Sequence, residues 1–281
     1  MIELTEGAAL AARQQLADGC HRMKELLNGL LDSKGRVAEE VHAIRKLGKS
    51  LRGGFTLFRL DKSAALEIQS IGRLLAAPRD AVSRQNTWNK LEWNTDPALA
   101  AAIGGLLEIH VHSAARRPPQ ETVAWACARV DAAIADLDSL PPTELAQRIA
   151  DGLDKLEQRV IKRCRRLDHR AEEDFHEARK ALKAWLGAVG FLPEGTLRRD
   201  PLLHEMAEFL GDENDLATLS AWLDEHGFTK RFAADLRNAL HDARKRLQKR
   251  ATKDAAKLAK HGRIGHPPET PRAEAPETAA S

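Results

Sequence analysis

Apolar residues recur along this chain at intervals of three and four, the spacing that gathers them on one side of an α-helix. Over 36–60 the stripe is Val37, Val41, Ile44, Leu47, Leu51, Phe55 and Phe58; further on, Phe175, Ala178, Leu182, Trp185, Val189 and Leu192 repeat it. Read between breakers, this periodicity predicts helices over 7–31, 36–60, 64–77, 80–94, 98–115, 120–138, 143–169, 171–191, 201–210, 213–226 and 230–260. The breaks fall at Gly35, Pro78, Pro97, Pro118 and Pro119, Pro141 and Pro142, Pro193 with Gly195, Pro201 and Gly227. At such residues a missing N–H or a left-handed backbone ends a helix. Nothing alternates with period two as a half-buried strand does, so the expected fold class is all-α.

The polar faces of two of these helices carry a second pattern. His42, Arg45, Lys46 and Lys49 spell H-x-x-R-K-x-x-K, and His176, Arg179, Lys180 and Lys183 spell it again. On a helix the four side chains share a stripe roughly 100° wide, opposite the apolar one. The acids Glu39 and Glu40, and Glu172, Glu173 and Asp174, sit in the first turns instead, where a carboxylate favours a helix N-terminus. An ordinary solvated face would mix its signs at i and i+4. A cationic stripe present twice asks for an anionic partner.

The repetition extends past the stripe. An offset of 134 positions lays Glu39-Glu40-Val41-His42 on Glu173-Asp174-Phe175-His176. With one more residue inserted, Ile68, Ile71, Leu74 and Leu75 fall on Leu203, Met206, Phe209 and Leu210, and Arg79-Asp80 on Asn214-Asp215. The expected organisation is two like halves, about 1–137 and 138–262, each a four-helix bundle. The two bundles would pack pseudo-symmetrically with their basic helices facing a central groove or pore. Residues 263–281 are Pro-, Ala- and Glu-rich and are expected to be a disordered tail.

Composition fits this picture and narrows it. The 281 residues include no Tyr, and Ala, Leu and charged helix formers dominate. The 44 Lys and Arg against 41 Asp and Glu leave a net charge of only +3, so the cations matter through clustering. From Lys230 to Arg263 twelve bases face three acids. Two more basic faces are candidates for a joint site: Arg159, Lys162, Arg163, Arg166 and Arg170 on one helix, and Arg237, His241, Arg244 and Lys245 on the last. No signal peptide and no run of about 18 apolar residues is apparent, so a cytoplasmic protein with no membrane partner is expected. Cys20, Cys127 and Cys164 lack paired spacing and read as small packing residues.

These residues resemble the conserved histidine α-helical domain family, CHAD. The resemblance rests on H-x-x-R-K-x-x-K at 42–49 and 176–183, on Leu75-x-x-x-Arg79-Asp80 and the segment Leu210 to Asp215, and on the basic helix before the second motif, and covers about residues 5–260. It implies paired four-helix bundles around a basic pore, inorganic polyphosphate as the ligand, and association with polyphosphate granules. Carried over by position, the binding set is His42, Arg45, Lys46, Lys49, Arg52, His176, Arg179, Lys180 and Lys183, to which Arg79 and the two basic faces are added. Two positions depart from the repeat: Leu186 stands where the first half has Arg52, and Asn214 where it has Arg79.

The chemistry expected is binding without catalysis. Lys offers a compact ammonium and Arg a planar fork, a mixture that fits a chain with oxygens on every side. The two histidines, set among cations, should give up their protons readily until bound phosphate restores them. Lys46 and Lys180, four residues after each His, repel a metal ion, and His110 and His112 point to different faces, so neither metal nor cofactor is expected. Asp80 and Asp215 read as partners for arginine, since no G-x-x-x-x-G-K-[ST], G-x-S-x-G or H-E-x-x-H accompanies them. The alternative partner is nucleic acid bound by its backbone. Against it, the stripes hold no aromatic or Asn/Gln side chains for stacking or base reading.

Overall fold

The computed structural model describes residues 4–32, 37–60, 62–93, 96–114, 118–167, 171–197, 200–228, 234–262 and 264. Among them are ten α-helices and no strand: α1 Glu6–Asp32, α2 Val37–Leu57, α3 Lys62–Leu74, α4 Ala76–Lys90, α5 Pro97–Ala114, α6 Gln120–Asp138, α7 Pro142–Arg166, α8 Glu172–Val189, α9 Pro201–Glu225 and α10 Ala234–His261. The expected tail, together with Gly35, Arg170, Lys230, Arg231 and Arg263, lies outside the described residues, apart from Ile264. That side chain is buried and its N–H donates to Glu157.

Local sequence explains several of the boundaries. Pro142 and Pro201 each occupy the first turn of a helix, where the missing N–H has no partner to lose. The Asp200 carboxylate accepts from the Leu202 N–H at 2.9 Å and caps α9. Pro78 falls in the first turn of α4, and the break between α3 and α4 lies at Leu75, three residues before it.

One expectation needs correction. The segments 201–210 and 213–226 are a single helix, α9, that runs straight through Gly211-Asp212-Glu213. A helical Gly costs only about 1 kcal/mol against Ala. Glu213 outweighs it: its side chain is buried and takes hydrogen bonds from Arg244 and Gln248 of α10 at 2.9 Å, a tertiary anchor invisible in the local pattern.

Two apolar clusters hold the helices. The larger joins α1, α2, α3, α6, α7 and α8 to the first half of α9 and the end of α10, with Phe55, Phe58, Phe175, Leu16 and Met23 fully buried. The smaller takes Trp88 from α4, Ile103 and Leu107 from α5, Leu216, Leu219, Trp222 and Leu223 from α9, and Leu236, Leu240 and Ala243 from α10. Each cluster draws on residues from both sides of residue 138. Cys20 and Cys164 are buried and free, with burial pushing their thiols up to about 12, and Cys127 is half-buried. No helix is long and apolar enough to cross a membrane among the described residues.

Candidate functional site

The two basic motifs meet because α2 and α8 cross with almost no space between their backbones. A Cβ on Gly53 would collide with the Ala184 carbonyl oxygen and lie 2.7 Å from the Ala188 nitrogen; one on Gly187 would lie 2.8 Å from Ser50 Cα. Gly53 and Gly187 are themselves 134 positions apart, as are Ser50 and Ala184. The contact is therefore reciprocal: each glycine meets the residue three positions before the other. Each glycine stands four residues after the last lysine of its motif, so the close crossing brings Lys49 and Lys183 to one groove.

Beside the crossing lies a groove of about 700 Å³. Its basic lining is His42, Arg45, Lys46 and Lys49 from α2, Arg79 from α4, Arg179 and Lys183 from α8, and His204 from α9; Glu208, Asp212 and Asp215 of α9 also line it. Burial, reinforced by Arg179, Arg45, Arg79 and Lys183, pushes Lys49 down to about 8. Burial and Arg179 likewise lower Lys183, against the opposing pull of Glu208 and Asp215. Arg179 is lowered chiefly by burial, with Asp215 offsetting part of the effect, and its buried Nε has no hydrogen-bond partner. His42 falls below its usual value through burial first and then through Arg79, Lys49, Lys46 and Arg45. Six Lys and Arg side chains crowded into a half-buried groove against three carboxylates form a site that gains from an arriving anion.

Several arginines are held in place by acids. Arg45 donates to Asp80 at 3.1 Å and to the Ala76 carbonyl at 2.9 Å, so Asp80 orients the motif arginine across to α4. Arg79 faces Asp215 at 3.8 Å. In the second motif Glu177, one residue after the histidine, bonds Lys180 at 2.9 Å and Arg163 at 3.0 Å. The first motif has Ala43 at that position. His176 Nδ1 lies 3.2 Å from Asn214 Oδ1, and Arg244 binds Glu213 and Glu172, both at 2.9 Å.

The candidate residues thus divide. His42, Arg45, Lys46, Lys49, Arg79, Arg179 and Lys183 converge on the groove. Arg52 lies in an adjoining cavity with Arg45, Lys49 and Arg73, and Leu186, its counterpart in the repeat, lines the groove itself. His176, Lys180, Arg163 and Arg244 are engaged elsewhere, as above. Arg159, Lys162, Arg166, Arg237, His241 and Lys245 are exposed and line none of these cavities. His204 and Glu208 were not foreseen, for they share no motif. Gly53 and Gly187 were legible in principle, as an extension of the repeat to H-x-x-R-K-x-x-K-x-x-x-G. Among the described residues no group of three or more His, Cys, Asp or Glu could hold a metal ion.

Comparison with solved structures finds a crystal structure of the CHAD domain from the plant Ricinus communis with a TM-score of 0.62 at 20% identity, covering 92% of this chain and 93% of that one. At that identity the likeness concerns the fold. PptA from Streptomyces chartreusis also aligns, with a TM-score of 0.47 at 15% identity over 89% of this chain and 98% of that one. No curated protein matches the sequence. A profile of the CHAD domain matches residues 14–224, a span that holds both basic motifs, their crossing glycines and all the groove cations. The chain belongs to the CHAD domain family.

Proposed function

We propose that this protein is a receptor for inorganic polyphosphate and that the groove beside the α2–α8 crossing is its seat. The observation that carries the reading is the groove itself, about 700 Å³ in volume and lined by six Lys and Arg side chains from α2, α4 and α8, among which burial and like charge push Lys49 down to about 8. An anion lying along the groove relieves that repulsion, and a flexible chain of phosphates can meet several of the cations at once. The halves 1–137 and 138–262 act as two repeats, each supplying one motif helix to the seat. Arg52 extends the seat on one side. The exposed Arg159, Lys162, Arg166, Arg237, His241 and Lys245 contribute long-range attraction to an incoming polyanion. The role is binding alone, without metal or cofactor, and would place the protein on cytoplasmic polyphosphate granules.

Among the described residues the groove lining contains no Phe or Trp on which bases could stack, which sets nucleic acid second. The test is calorimetric titration with long-chain polyphosphate at near-physiological salt, with single-stranded RNA and duplex DNA as competitors and with gel analysis of the polymer afterwards. Tight, competitor-resistant binding with the chain length preserved is expected. Displacement by RNA would assign the groove to nucleic acid, and shortening of the polymer would make the protein an enzyme. The triple variant K46Q/K49Q/K183Q should lose more than tenfold in affinity, whereas Lys180→Gln, already paired with Glu177, should change it less than twofold.

A further inference from the structure

The groove is not purely cationic, and one of its acids stands where a ligand phosphate would be expected. Asp215 lines the groove together with Arg79, Arg179 and Lys183, and it also lines two adjoining cavities, of about 420 and 560 Å³. Its Oδ2 lies 3.8 Å from Arg79 Nη2, beyond hydrogen-bonding distance, although both side chains are only about a quarter exposed. The contrast with Asp80 is informative: that carboxylate makes a 3.1 Å hydrogen bond to Arg45, as a positioning partner should. Asp215 instead exerts its attraction through space on Arg79, Arg179 and Lys183 without closing a tight pair. Arg179, which lines the same groove, has a buried Nε with no hydrogen-bond partner.

We infer that Asp215 is the resident counter-ion of the polyanion seat, holding Arg79 and Arg179 in the free protein and yielding them to a ligand phosphate, so that binding is an exchange of one anion for another. This rests on the polyphosphate reading of the groove. The consequence is an affinity threshold, a common penalty that only a multivalent anion clears. Every anion entering the seat meets the same opposing carboxylate, and a single phosphate has little beyond Arg79 and Arg179 to set against it. A chain also reaches Arg45, Lys46, Lys49 and Lys183, and so remains tightly bound. Asp215 thereby keeps the seat closed to single phosphates while a polymer can still take it.

The experiment compares wild type with Asp215→Asn, which keeps the shape and removes the charge, using orthophosphate, tripolyphosphate and long-chain polyphosphate as probes. Asp215→Asn should bind each probe about tenfold more tightly and bring orthophosphate binding within measurable range. The ligand-free variant should melt at lower temperature than wild type, because the clustered cations have lost their counter-ion. In an Arg79→Gln background the gain from Asp215→Asn should fall to less than half. Unchanged or weaker binding by a folded Asp215→Asn would overturn the inference and make Asp215 an orienting partner like Asp80. A gain undiminished by Arg79→Gln would also overturn it, by uncoupling Asp215 from Arg79. Wild-type binding to the long polymer is read in the same series, and failure there would reject the polyphosphate reading itself, a result distinct from either.

Discussion

Lys49 shows how a residue can serve binding at the expense of the free fold. It lies at the α2–α8 crossing with a pKa of about 8, against 10.5 for a free lysine. Between those values the unfolded chain holds more protons than the folded one, so this residue makes stability rise as pH climbs from about 8 towards 10.5. Below about 8 its full destabilising effect is present. Lys49→Met should therefore raise the melting temperature at pH 7, by roughly 2–4 °C for each kcal/mol recovered, while weakening polyanion binding. Bound phosphate favours the charged form, so the complex takes up a proton and affinity falls as pH rises above about 8. Calorimetry in buffers of different ionisation enthalpy would detect that uptake at pH 8–9, and its absence there would exclude Lys49 from the seat. Gly53 and Gly187 act at the same scale by having no side chain. Gly53→Ala drives a methyl into the Ala184 carbonyl, a backbone atom that cannot step aside. It should cost at least the ~1–3 kcal/mol of an overpacked core in denaturant unfolding. Gly105→Ala, with nothing within 4 Å of the new methyl, should gain ~0.5–1 kcal/mol.

At the scale of elements, the repeat is built differently in its two halves, and single residues account for it. The consecutive helices α3 and α4 are interrupted at Leu75 where α9 is continuous. Pro78 stands in the first half at the place of Glu213 in the second, under the offset that aligns Arg79 with Asn214. Proline lacks the N–H that a continuous helix needs there and its ring crowds the preceding turn, whereas Glu213 continues the helix and fastens it to α10 through Arg244 and Gln248. Glu213→Ala should therefore cost about 2–3 kcal/mol, somewhat below the 3–5 of a fully buried pair, because Arg244 keeps Glu172. Unfolding monitored by circular dichroism measures this directly, and a cost below 0.5 kcal/mol would mean that α9 is held by its apolar side alone. The second motif differs from the first for a comparable reason. Glu177 draws Lys180 and Arg163 together and Asn214 engages His176, so two of the four motif side chains of α8 are engaged outside the groove lining. The sequence spells both motifs alike, and only their neighbours make them unequal.

At the scale of the whole molecule, a net charge of +3 on 281 residues conceals a groove lined by six Lys and Arg side chains and two histidines. A polyanion that binds the folded state alone stabilises it by mass action, ~2.7 kcal/mol at a hundred times the dissociation constant. A thermal shift of roughly 5–10 °C with long-chain polyphosphate follows for a chain of this size. The shift should shrink steadily as salt rises, because the bound polymer releases counterions as other polyelectrolytes do. A shift indifferent to salt would point to apolar contacts and away from the groove cations.

The sequence by itself determined the all-helical class and most of the helices, though not the continuity of α9, because periodicity of three and four is a local property written in Val41, Ile44, Leu51, Phe175, Leu182 and their kin. It also determined the duplicated motif and the CHAD family, since both depend on residue order alone. Tertiary structure decided which cations face one another. Arg159, Lys162 and Arg166 look as basic on paper as Arg45, Lys46 and Lys49, but the α2–α8 crossing brings only the latter into the groove with Arg179 and Lys183. The same holds for the acids, where the separation in space and not in sequence makes Asp80 a tight partner of Arg45, Glu213 an anchor for α10, and Asp215 a loose one for Arg79. Electrostatic energy falls with distance and rises with desolvation, and both quantities exist only once the chain has folded.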